Sequence, residues 1–97
     1  MAARFRTKTY TFPSATPVTV ATILALTNDI YFTSLTLRAA AGNAGNVTWL
    51  DTVGGTDGGY LDAGEAVAFD LNTAYLATSD ILLSAPQNDV VYITVMS

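Results

Sequence analysis

Between residues 31 and 39, large apolar side chains alternate with hydroxyls and one arginine, and the run ends at a turn, residues 42–46, rich in glycine and asparagine. Alternation of this kind predicts an antiparallel strand buried on one side. Tyr31, Thr33, Leu35 and Leu37 share one face, Phe32, Ser34, Thr36 and Arg38 the other, and Leu35 and Leu37 are expected in the core. The pattern recurs downstream. Val67, Phe69 and Leu71 alternate with Ala68 and Asp70 over 66–71. In 90–96, Val91, Ile93 and Val95 oppose Val90, Tyr92, Thr94 and Met96, so both faces can be covered and a central strand or one at a subunit contact is expected.

Other segments complete an all-β reading. An extended piece at 4–12 stops at Pro13 and Pro17, which deny a ladder its donors. Residues 18–27 fit either a short helix, through Val20, Ile23, Leu24 and Thr27, or two short strand pieces; their threonine and valine content favours the strands. Further strands are expected at 47–50, 74–77 and 80–84, with a loop at 54–59, where four glycines weaken any regular element, and a tight turn at 62–65. Seven or eight short strands at this spacing predict a single small antiparallel β-sandwich, jelly-roll-like, over residues 1–97. Residues 1–12 form its edge strand or an N-terminal arm.

Composition narrows the functions. A chain of 97 residues buries only about 60–65 % of its unfolded surface, yet 51 % of these residues are hydrophobic and 12 % charged. Part of that apolar surface is expected to meet a partner. Cysteine and histidine are absent, which removes disulfides, thiol nucleophiles, the usual general base near neutral pH and the commonest transition-metal ligands. The reading is therefore a non-enzyme with no cofactor and no metal. No apolar run is long enough to cross a bilayer and the first residues lack a signal-peptide core, so a soluble, unprocessed chain without a membrane partner is expected.

Charge is divided along the chain. Arg4, Arg6, Lys8 and Arg38 all precede residue 40, whereas every acid but Asp29 follows residue 50. Arg4, Arg6 and Lys8 fall at every second position with Tyr10 continuing their face, which suits either a charged edge strand that discourages aggregation or an arm docking on acidic surface. Three bases in a chain of net charge −4 are a poor nucleic-acid footprint. The loop from Gly54 to Asp62 carries one copy of a glycine–aspartate pattern, too little to complete a Ca²⁺ shell. Trp49 and Tyr60, with Asp51 and Asp57 beside them, form a candidate sugar-binding face, although as the largest residue of a small domain Trp49 is better suited to filling the core.

The succession of Ser34 to Ala39, the turn 42–46, Val47 to Trp49, Leu61 to Glu65, Val67 to Leu71 and Val90 to Val95 resembles small β-sandwich virion proteins of tailed bacteriophages, over roughly residues 31–97. The resemblance implies a capsid decoration or cement protein, made in the host cytoplasm and placed on the virion's outer surface. Its implied partners are the major capsid protein, whose subunit contacts it would stabilise, and further copies of itself in a homo-oligomer such as a trimer. Arg4, Arg6, Lys8 and Tyr10 are the partner-binding residues on this reading. A carbohydrate-binding or host-surface adhesion module using Trp49, Asp51, Asp57 and Tyr60 is the alternative.

Overall fold

The computed structural model describes residues 5–27, 30–51, 58–71 and 75–96. Among them ten strands form: β1 (Phe5–Thr11), β2 (Val18–Thr19), β3 (Tyr31–Phe32), β4 (Ser34–Ala39), β5 (Val47–Asp51), β6 (Gly59–Leu61), β7 (Ala66–Asp70), β8 (Leu76–Ala77), β9 (Ile81–Ser84) and β10 (Val90–Met96). They pair antiparallel from the outside in: β1 with β10, β2 with β9, β3 with β8, β4 with β7 and β5 with β6. The chain is thus one long two-stranded ribbon turned back between β5 and β6. It is then rolled so that β10 also pairs with β4, and β9 with β5.

Rolling produces two four-stranded sheets, β1-β10-β4-β7 and β2-β9-β5-β6, with β3-β8 as a short strip joining neither ladder. This winding of a folded ribbon into two sheets is the jelly roll. The expected all-β, antiparallel sandwich is therefore the observed fold, and β10 is a central strand. Its inward side chains Val91, Ile93 and Val95 are buried with Leu35 and Leu37 of β4.

Two expectations about local structure are corrected. The run 31–39 is not one strand, because Thr33 interrupts it: its N–H donates to the Met96 carbonyl at 2.9 Å and its own carbonyl accepts from Leu71 N–H at 2.8 Å. This break shifts the alternation, so Phe32 and Leu35, three apart, are both fully buried while Tyr31 is exposed. Residues 18–27 hold only the two-residue β2 before a single helical turn, α1 (Val20–Ile23). The Thr19 hydroxyl accepts from Thr22 N–H at 3.1 Å and so caps that turn, which lets Val20 and Ile23, one turn apart, enter the core together.

The start of β10 is tied to two other parts of the chain. Asp89, 4 % exposed, accepts from the N–H groups of Ala44 (2.8 Å) and Gly45 (2.9 Å), and its carbonyl accepts from Phe12 N–H (2.9 Å). Asn43 extends the ladder with its side chain, its Nδ2 donating to the Val90 carbonyl (2.8 Å) and its Oδ1 accepting from Val90 N–H (2.7 Å). Gly45 is required here because a Cβ would lie 2.6 Å from Pro86 Cγ. The glycine–asparagine turn thus holds the end of β1 and the beginning of β10 in one place.

Candidate partner interface

Register fixes what the outer face of the β1-β10-β4-β7 sheet presents. One row across it reads Phe5, Met96, Ser34, Asp70; the next Thr7, Thr94, Thr36, Ala68; the third Thr9, Tyr92, Arg38, Ala66. Only Arg38 and Asp70 are charged. The middle row has short, neutral side chains on all four strands, and Phe5 (68 % exposed), Tyr92 (44 %) and Met96 (44 %) stand open beside it. A solvated face of an antiparallel sheet ordinarily carries the polar, charged half of the alternation. This face instead offers threonine hydroxyls, methyl groups and aromatic rings, which suits contact with another protein.

The two edges of the same sheet differ in charge. At one edge, Arg6 and Lys8 pair with Val95 and Ile93, whose side chains point into the core, so the two bases lie on the inward side of the sheet. Both are nevertheless exposed. At the other edge β7 exposes Ala66, Ala68 and Asp70 on its outer side, and the preceding turn brings Asp62 and Glu65 to its start. That turn is closed by Glu65, whose N–H donates to the Asp62 carbonyl (2.9 Å) and whose Oε1 accepts from Asp62 N–H (2.7 Å), with Gly64 at φ +83°.

Of the residues expected to bind a partner, Arg6, Lys8 and Tyr10 share one side of β1, while Arg4 lies outside the described residues. Tyr10 is half-buried and meets Phe12 edge-on, ring centres 5.0 Å apart. Residues 5–11 are not a free arm: all seven pair in register with β10. Removing them would strip an edge strand from the sheet, so side-chain charge reversal is the cleaner probe of this segment.

The candidate sugar-binding residues do not converge. Trp49 pairs with Gly59 on the inward side of β5 and β6, where its ring meets Phe69 of the opposite sheet edge-on at 5.6 Å. Gly59 leaves the space for that ring, which any Cβ there would overlap. Tyr60, one position along, pairs with Thr48 and points outward, 61 % exposed. Trp49 and Tyr60 are therefore on opposite faces of one sheet. Asp51 ends β5 and Asp57 lies outside the described residues.

Sequence reasoning did not single out Phe5, Tyr92 and Met96, although the apolar second face of 90–96 was a signal that something covers it. Among the described residues no group of three or more acidic side chains is placed to hold a metal ion. No protein-family model, characterised protein or solved structure matches the chain.

Proposed function

We propose that this protein is a structural virion component that binds the outer surface of a tailed-phage capsid and stabilises contacts between major capsid protein subunits. The observation that carries the reading is the nearly neutral outer face of the β1-β10-β4-β7 sheet, with Phe5, Tyr92 and Met96 exposed on it. Support also comes from the resemblance of residues 31–97 to small phage virion proteins and from the jelly roll itself, a fold that recurs in viral capsid domains as well as in lectins. The mechanism is mass action. A face that spans two capsid subunits binds the assembled shell and not the separated subunits, so occupancy shifts the equilibrium towards the shell.

The separation of Trp49 from Tyr60, on opposite faces of one sheet, leaves the adhesion alternative without a composed binding face. Mixing the purified protein with tailed-phage heads prepared without their outer accessory proteins, then pelleting the heads, tests the reading. Saturable co-sedimentation with heads, and none with unassembled capsid subunits, is expected. Equal binding to both, or to neither, would contradict it.

A further inference from the structure

We infer that β1 is an exchangeable arm: residues 5–12 leave their own copy at a hinge, residues 13–17, and pair with β10 of a second copy, which returns its own β1. The contacts define the unit that moves. All seven residues of β1 pair with β10, and Phe12 adds two backbone hydrogen bonds, to Asn88 and Asp89, just before that strand. Of the seven side chains on β1 only Tyr10 is half-buried, and the other six are exposed. Segment 5–12 is thus held by one stretch of chain, 88–96, together with the Phe12 ring in the core. A second copy offers the same stretch and the same core, so each of these contacts is remade unchanged between copies.

The hinge favours exchange. Residues 13–17 are exposed throughout as the chain passes from β1, in one sheet, to β2, in the other. The hydrogen bond they make among the described residues, from Thr16 N–H to Ser14 Oγ (3.3 Å), is internal and can move with them. Pro13 and Pro17 fix their own backbone angle φ and bias Phe12 and Thr16, the residues before them, towards extended backbone. A stiff, extended hinge gains less from folding back onto its own copy than a flexible one does. The demand at the other end is specific. Without β1, β10 would present a row of unpaired N–H and C=O groups beside the buried Val91, Ile93 and Val95, an edge that takes up a strand. The strand that matches its register, and carries a Phe12 that fits the core, is β1 itself, which makes a second copy the occupant. Reciprocal exchange closes a two-fold dimer. This inference stands apart from capsid binding, since it concerns only contacts between copies.

The chain has no cysteine, so introduced thiols report cleanly. Thr7 and Thr94 oppose each other across β1 and β10, with Cβ atoms about 5 Å apart. Thr7→Cys and Thr94→Cys are made in separate chains, one of them tagged, co-expressed, and treated with a short bis-maleimide. In closed copies each thiol faces a threonine of its own chain, and only exchange sets the two thiols opposite one another. Mixed conjugate is expected at about tenfold or more above the yield from either variant expressed alone, because only opposed thiols lie within reach of a short link. Replacing Pro13 and Pro17 with alanine in both chains should cut that yield severalfold while the thermal melt shows the domain still folded. A chain carrying both Thr7→Cys and Thr94→Cys shows where the link goes when the pair is complete. Linkage of that chain only within itself, with no mixed conjugate from the folded single variants, would overturn the proposal. Conjugation of either single variant alone at the yield of the mixture would also overturn it, in favour of closed copies touching side by side.

Discussion

Replacing Phe12 with alanine is expected to lower the unfolding free energy by about 3–5 kcal/mol, the usual range for truncating a fully buried aromatic ring. Phe12 is 0 % exposed and stands immediately after β1, the residue through which that edge strand reaches the core. Its N–H donates to the Asp89 carbonyl (2.9 Å), its carbonyl accepts from Asn88 N–H (2.8 Å), and Tyr10 packs edge-on against its ring. Losing the ring leaves a cavity and frees Tyr10 at once. Against a typical stability of about 5–15 kcal/mol, the loss takes a large share. Chemical denaturation measures the change, and native-state hydrogen exchange locates it: amides of residues 6–10 should lose more protection than those of β5 or β9. A loss below about 1 kcal/mol would mean that Phe12 does not anchor β1.

Asp89→Ala is expected to cost about 2–4 kcal/mol, because two backbone N–H groups lose their side-chain acceptor at a buried residue. The carboxylate is the common partner of Ala44 and Gly45, and the same residue's carbonyl holds Phe12. Asp89→Asn keeps the shape and one oxygen but turns an amide NH₂ towards the second N–H, so it should fall between wild type and alanine. For a domain of this size the alanine variant's melting temperature should drop by about 10–20 °C. Equal melting of all three forms would show that the turn at 42–46 is held by Asn43 alone.

The parts of the fold legible in the sequence are those fixed by local alternation. Residues 34–39, 66–70 and 90–96 read correctly because each side chain's face follows from a period of two once a strand is assumed, and Leu35 and Leu37 are buried as that period requires. What local pattern does not contain is the ribbon's route. Thr33 breaks its strand because Met96 and Leu71, both distant in sequence, supply its backbone partners. β6 was not expected, because its three residues are a strand through pairing with β5, where Gly59 leaves room for the Trp49 ring. At the candidate interface the spacing of Arg6, Lys8 and Tyr10 correctly predicted a shared side, but not that this is the sheet's inward side, with Arg6 and Lys8 exposed and Tyr10 half-buried. The outer-face grid could not be read from any one segment, since Phe5, Tyr92 and Thr36 become neighbours only through the pairing of the chain's two ends.

Two exposed tyrosines stand on opposite outer faces of the sandwich, Tyr92 on the β1-β10-β4-β7 sheet and Tyr60 on the other. Co-sedimentation with phage heads of Tyr92→Glu beside Tyr60→Glu therefore tests where binding resides with one substitution made on each face. The Tyr92 variant is expected to lose head binding at least tenfold while the Tyr60 variant binds as wild type does. Retention by Tyr92→Glu with loss by Tyr60→Glu would place the contact on the other sheet and contradict the account.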